Sequence, residues 1–421
     1  MTMRELIGAD VLLRAALLAV LALQAASGQN ATLFKQDNLL RYYSKDSLSN
    51  FTEFTSNYGY YSEEHVVVTE DGYILFLFRI PKGKNCNGTI AEPPILMMHG
   101  LLMSADAWLD AGPSAGLAFL LADACYDTWV GNVRGNYYGR RHRSLDPDTD
   151  SEFWDFNTEQ MGVYDLPANI DYVLNHTGSK DLMFIGFSHG CRQVFTMASE
   201  TSGYVDKVRV AINLAPAVRV KYTRSISIRL LTEFYAAVSP ILKTPRQLEV
   251  LEKGGLIQTA SAFICKDNAL ASTVCQLFLA LIDSYDPGSV LPETIRSLFG
   301  HFPAGTSAYT LAIYGQGVIS KNFQKYDYGF SKNLQLYGSP IPPLYNLKKS
   351  TMPVVLIYGK NDFLVDPRDV KWLSKQLPNM LETYEVGRTT WNHLDNNYSQ
   401  FSKRLIFPKI NEYLRKYSTR V

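Results

Sequence analysis

The feature that most constrains this chain is Gly186-Phe187-Ser188-His189-Gly190, set between the apolar run Leu182–Ile185 and a stretch carrying Cys191, Val194, Phe195 and Ala198. Those four positions recur with the spacing of one helical face, so the pentapeptide reads as strand, sharp turn, helix. A turn of this kind lifts a serine hydroxyl clear of the sheet in strained backbone geometry. Glycines beside it let strand and helix approach without side chains colliding. The arrangement is that of a nucleophile elbow.

The flanking sequence supplies the scaffold such an elbow needs. Short β-branched or apolar runs at His65–Thr69, Tyr73–Ile80, Ile95–Met98, Thr128–Gly131, Leu182–Gly186 and Val208–Leu214 predict strands. Ser114–Ala124, Gly162–Leu174 and Ser188–Thr201 between them predict helices. Strand alternating with helix implies an α/β fold with a mostly parallel central sheet covered on both faces. The alternation stops over about 217–348, where helix-like stretches such as Ile226–Val238 and Cys275–Asp283 precede a tyrosine- and proline-rich segment. It resumes at Pro353–Gly359, followed by a helix from Pro367, a strand near Glu382–Val386 and a helix in Lys403–Tyr417. The expected organisation is a discontinuous core, 29–216 with 349–421, interrupted by an inserted cap at 217–348.

A serine hydroxyl needs a base, and this topology delivers nucleophile, acid and histidine in that order. Of seven histidines, only His393 follows the Pro353–Gly359 strand, in the polar loop Trp391-Asn392-His393-Leu394-Asp395. His301 lies inside the insertion, and His189 is adjacent to the serine with its side chain badly placed to serve as base. The acid belongs just past the strand end, where Asp362 stands, with Asp366 and Asp369 as competitors. Asp366 precedes Pro367 at a helix start and is a natural N-cap, which leaves Asp362 as the carboxylate that orients His393. Acyl transfer also requires backbone donors for an oxyanion. The N–H of His189 supplies one, and the N–H of Leu101, in the loop after Ile95–Met98, the second; His99 reads as structural.

The ends and the cysteines indicate export. Arg4 and Arg14 precede an apolar stretch, Ala15–Leu23, and then the small residues Ala26, Ser27 and Gly28, so residues 1–28 read as a signal peptide. The stretch is shorter than the ~20 residues needed to span a bilayer, and no later run is longer, so no transmembrane anchor is expected. Asn-X-Ser/Thr acceptors occur at Asn30, Asn50, Asn87, Asn175 and Asn397. Five cysteines leave at least one thiol without an intrachain partner, and Cys265 with Cys275 is the expected bridge, against the alternative of two buried free thiols. Lysine plus arginine (41) balances aspartate plus glutamate (40), which gives no reason to seek nucleic acid. The basic cluster Arg140–Arg143 reads as a solvated loop.

With these residues placed, the sequence resembles the acid lipase family, which includes gastric lipase and lysosomal acid lipase. Eight stretches carry the resemblance in order along the mature chain: Val68–Leu75, His99–Leu102, Gly131–Asn136, Phe153–Phe156, Tyr164–Ala168, Asn213–Pro216, Pro303–Ser307 and Asn392–Asp395. The resemblance implies an α/β-hydrolase fold with a lid-bearing cap, a Ser188–Asp362–His393 triad, and oxyanion donors at Leu101 and His189. It further implies hydrolysis of triacylglycerols or sterol esters, N-glycosylation and no metal. No cofactor is expected. The elbow departs from the family's usual Gly-His-Ser-Gln-Gly through Phe187 and His189, so substrate preference does not carry over with the triad.

The leading expectation is a secreted, or alternatively lysosomal, lipase acting on lipid esters at an oil–water or membrane interface. Its neighbours are a short-chain carboxylesterase and a lipid-binding protein that kept the fold but lost turnover. The apolar run Leu277–Ile282 in the insertion reads either as a lipid-facing wall over Ser188 or as a buried cap-core helix.

Overall fold

A computed structural model describes residues 44–255, 258, 265, 275–276, 279–280 and 282–418. The expected signal peptide, Asn30, and Leu277, Phe278 and Leu281 of the apolar run lie outside the described residues. Strands β1 (Glu63–Val68), β2 (Ile74–Ile80), β3 (Ala91–Met98), β4 (Tyr126–Gly131), β5 (Leu182–Phe187), β6 (Val208–Leu214), β9 (Val354–Tyr358) and β10 (Met380–Glu385) form one sheet. Its order is β1-β2-β4-β3-β5-β6-β9-β10. The first two strands pair antiparallel and everything from β4 to β10 is parallel. Two very short strands, β7 (Glu249–Val250) and β8 (Thr306–Ser307), pair separately.

Burial explains why the sequence specifies these strands. Every residue of β4, β5 and β9 is buried: β5 and β9 are the continuous apolar runs that a doubly covered sheet requires, while β4 also buries Asp127, which accepts from Arg79 at 2.8 Å. The edge strand β1 instead alternates partly buried with exposed positions through most of its length. In β3, Leu96 and Met98 belong to one core cluster while Ile95 and Met97 belong to the other, the two-residue period dividing the strand between the faces of the sheet. Strand β3 begins at Ala91, four residues before its expected start. Its pairing with β4 shifts register between Ala91 and Ile95, which accommodates Pro93 and Pro94 without breaking the strand.

Helices α1 (Leu117–Asp123), α2 (Leu166–Thr177) and α3 (His189–Glu200) connect the strands. Apolar residues of α2 and α3 join the first core cluster and those of α1 the second, so both faces are covered. Between β6 and β9 the chain leaves the sheet and forms α4 (Ile226–Val238), α5 (Pro292–His301), α6 (Ala308–Ser320) and α7 (Phe330–Tyr337). Helices α4 and α6 lie against each other. Their close crossing requires Gly315, where a Cβ would sit 2.1 Å from the Thr232 carbonyl oxygen. Leu311, Ala312 and Val318 of α6 share one core cluster with Leu96 and Phe184 of the sheet, so this segment packs as part of the main body. After β9 come α8 (Pro367–Ser374) and, at the end, α9 (Phe407–Tyr417). The single helix expected over Lys403–Tyr417 is two, Ser402–Leu405 and α9, because Pro408 has no N–H to continue the hydrogen-bond ladder.

Disulfides join Cys265 to Cys275 and Cys86 to Cys125, while Cys191 is free and buried. Of the glycosylation acceptors, Asn87 and Asn175 are exposed. Asn50 caps the helix Phe51–Asn57 through a capping box with Glu53. The Asn397 side chain is 2% exposed and its amide donates to the Ala107 carbonyl at 3.1 Å, a packing that a glycan there would break. In the basic cluster, Arg140 is neutralised by Glu249 and Asp148. Peptide mapping without reductant should find both cystine-linked pairs, Cys191 alkylated only after denaturation, and Asn397 unmodified. A glycan on Asn397 would contradict this packing.

Candidate active site

Loops that follow the C-terminal ends of the parallel strands β5, β9 and β10 carry Ser188, Asp362 and His393, and the loop after β3 carries Leu101. At the end of β5 the backbone turns sharply through Ser188, at φ 52° and ψ −107°, and α3 begins at the next residue. A positive φ is costly for a residue with a Cβ. It persists because the turn is tied on both sides: Ser188 N–H donates to Leu214 O at 2.8 Å, and Ser188 O accepts from Cys191 and Ala217. Gly190 makes the close approach possible, since a Cβ there would lie 2.2 Å from Met98 O of β3.

His393 Nε2 is 2.8 Å from Ser188 Oγ, and His393 Nδ1 is 2.8 Å from Asp362 Oδ2. The other Asp362 oxygen accepts the Val365 N–H at 2.6 Å. Ser188, Asp362 and His393, all buried, are thus brought into one hydrogen-bonded line from three separate loops. Burial pulls the His393 pKa down, but the Asp362 carboxylate, reinforced by Asp283, outweighs it and the net shift is upward. The competing acids lie elsewhere. Asp366 caps α8, accepting the Arg368 N–H at 2.9 Å, and Asp369 pairs with Arg219 at 2.6 Å.

Leu101 lines the same cavity as Ser188 and His393, in the loop that follows β3. His189 is the first residue of α3, so its N–H is one of the four a helix leaves without an internal acceptor. Its side chain turns away from the serine, with Nδ1 at 2.8 Å from the Tyr314 hydroxyl and Nε2 beside Met161 Sδ. Burial, then His99 and Arg192, hold its pKa well below the usual range. His99 is pushed down to about 4, chiefly by burial. Its Nδ1 donates to Gly100 O and its Nε2 accepts from Asn136 Nδ2 at 3.1 Å, bracing the loop. The Phe187 ring packs 5.0 Å from the His393 ring. The cavity itself is apolar, with Ile228, Val318 and Leu364 among its walls. Of the apolar run in the insertion, Leu279 packs into the core while Ile282 lines the cavity.

The α/β hydrolase fold family matches residues 93–395, and the partial alpha/beta-hydrolase lipase region matches residues 51–112. Gastric triacylglycerol lipase of Bos taurus is 35% identical over 365 residues, covering 86% of this chain and 90% of that protein. The Homo sapiens gastric enzyme is 35% identical over 356 residues, 82% of this chain and 86% of its own length. Lipase 1 of Drosophila melanogaster is 35% identical over 372 residues, 88% and 81% respectively. The chain belongs to the acid lipase family. It is a lipase or carboxylic ester hydrolase of the α/β-hydrolase fold.

Two groups around the site of this lipase escape sequence reasoning. Arg134, 1% exposed, pairs with Asp71 at 2.6 Å and Asp165 at 2.7 Å, joining three of the stretches that carry the family resemblance. Beside it, Asn132 Oδ1 accepts the Ala105 N–H and Asn136 Nδ2, holding the loop that carries Leu101. The only mark of this network in the sequence is that Asp71, Arg134 and Asp165 each fall in a stretch that carries the family resemblance. The second group is Asp283, whose carboxylate is buried behind His393 with no local motif to mark it.

Proposed function

We propose that this lipase hydrolyses esters of neutral lipids, triacylglycerol or sterol ester, through a Ser188–His393–Asp362 triad and an acyl-enzyme. The observation that carries the reading is the hydrogen-bonded line Asp362–His393–Ser188 opening on an apolar cavity. Ser188 Oγ attacks the ester carbonyl as His393 Nε2 takes its proton, with Asp362 holding the imidazole tautomer and stabilising the imidazolium. The N–H groups of Leu101 and His189 receive the oxyanion. His393 then returns the proton to the leaving alcohol, and water repeats the sequence on the acyl-enzyme. The gastric relatives are named for triacylglycerol, which supports that substrate class here.

The segment 217–348 serves in this reading as the cap, with Ile228, Val318 and Ile282 forming acyl-binding walls. Each acyl methylene buried there contributes up to ~0.8 kcal/mol, which favours long chains until the groove is full. The lipase works at a lipid–water interface, outside the cell or in the lysosome. Two disulfides support an oxidising compartment. No helix among the described residues is long and apolar enough to cross a membrane.

Rates across an acyl-chain series, below and above the solubility limit, test the reading. The expected result is higher activity on long-chain triacylglycerol or sterol ester than on acetate esters, with a rise on emulsification. Activity peaking at two to four carbons and indifferent to emulsification would instead identify a short-chain esterase.

A further inference from the structure

Asp283, 3% exposed, lies in the inserted segment just before Ser284 and behind the triad. Its Oδ1 accepts the N–H of Phe363, the residue after Asp362, at 2.9 Å. Its Oδ2 accepts the N–H of His393 itself at 2.6 Å and that of Leu394 at 3.2 Å. One carboxylate thus receives three backbone donors from the two loops that carry acid and base. Ser284 adds a bond to each of the same loops: its Oγ donates to Asn361 O at 2.6 Å, and its carbonyl accepts from Asn392 Nδ2 at 2.7 Å. Backbone N–H groups satisfy a buried carboxylate well only while all of them stay aimed at it, so the bond set favours one separation of the two loops.

Resting on the triad reading above, we propose that Asp283 is a positioning residue: it fixes the Asp362 loop against the His393 loop, so the insertion as well as the sheet sets triad alignment.

Its charge has a second consequence. The carboxylate faces Asp362 and His393, with Arg224 beyond on the Asp362 carbonyl, Asp395 on the Asn392 N–H, and Asp286 paired with Arg388 farther along its own segment. Burial, then the Asp362 charge, push the Asp283 pKa up, while His393 and the backbone donors favour its ionised form. An ionised Asp283 favours the imidazolium and so raises the His393 pKa. Removing that charge lowers it, and the acid limb of kcat/KM moves to lower pH, because the base works when neutral.

The test uses the full-length secreted protein with Asp283→Asn and Asp283→Glu, a soluble ester, and a serine-reactive phosphonate to count active sites. Asn places an NH2 against the N–H donors. Per labelled site, kcat should fall on the order of 10–100-fold with KM within about twofold. The acid limb should shift to lower pH. Asp283→Glu keeps the charge and misplaces it, so kcat should fall while the limb stays at its native position. If Asp283→Asn does not fold, Asp283→Glu decides alone: native kcat per labelled site overturns the proposal. Native kcat and a native pH limb for Asp283→Asn overturn it as well, and leave the triad reading standing. If the native protein is not labelled at Ser188, the triad reading falls, and the positioning role falls with it.

Discussion

Protein carrying Ser188→Ala should fold and melt as the native lipase does, take up no phosphonate, and hydrolyse esters on the order of 10⁵–10⁶-fold more slowly. The expected size follows from what is lost. Alanine removes the attacking oxygen and its 2.8 Å bond to His393 Nε2, while the apolar cavity remains to bind substrate. A residual rate above the uncatalysed one should survive through the backbone donors of the oxyanion hole. Alanine also keeps the Cβ, so the strain at φ 52° is unchanged and stability should barely move. Ser188→Gly should be equally inactive yet more stable by about 1 kcal/mol, because glycine takes a positive φ without strain. Thermal melts of the three proteins, with turnover on a soluble ester, check both statements. Near-native turnover by Ser188→Ala would sink the proposed mechanism.

The second large effect should come from Asp362→Asn, with a fall in kcat on the order of 10⁴-fold. The fixed surroundings determine which way the new amide faces. Val365 N–H requires an acceptor at the position of Oδ1, so the asparagine carbonyl takes that place and its NH2 faces His393 Nδ1. The imidazole is then forced to carry its proton on Nε2, where it cannot accept one from Ser188. Asp366→Asn makes the contrast. Asparagine caps a helix about as well as aspartate, and the pairs lost to Arg224 and Arg368 involve half-exposed or exposed arginines. Turnover by Asp366→Asn should stay within about twofold of native. Steady-state kinetics on the two variants decide the matter, and a greater loss from Asp366→Asn would transfer the role of acid to that residue.

What the sequence determined by itself was whatever is encoded locally or by chain order. The elbow is five consecutive residues between a buried strand and an amphipathic helix, and every residue of β5 is buried as its apolar run required. Asp366 was separable from Asp362 because Pro367 marks a helix start, where Asp366 indeed accepts the Arg368 N–H. The contact of His393 with Asp362 and Ser188 was reachable because the order of elements around a parallel sheet limits which loops can meet at the strand ends. Tertiary structure alone decided the rest. Asp283 meets loops 80 and 110 residues away, and Cys86 meets Cys125 across 39, contacts that depend on topology and leave no periodic trace. The Asn397 acceptor is a three-residue pattern, whereas its burial against Ala107 belongs to a contact 290 residues distant in the chain. Hydrophobic period, caps and turns write themselves into neighbouring residues because their forces act over one or two turns of backbone. A buried carboxylate, a disulfide or a covered amide is specified only when the packed core brings distant segments within hydrogen-bond or covalent reach.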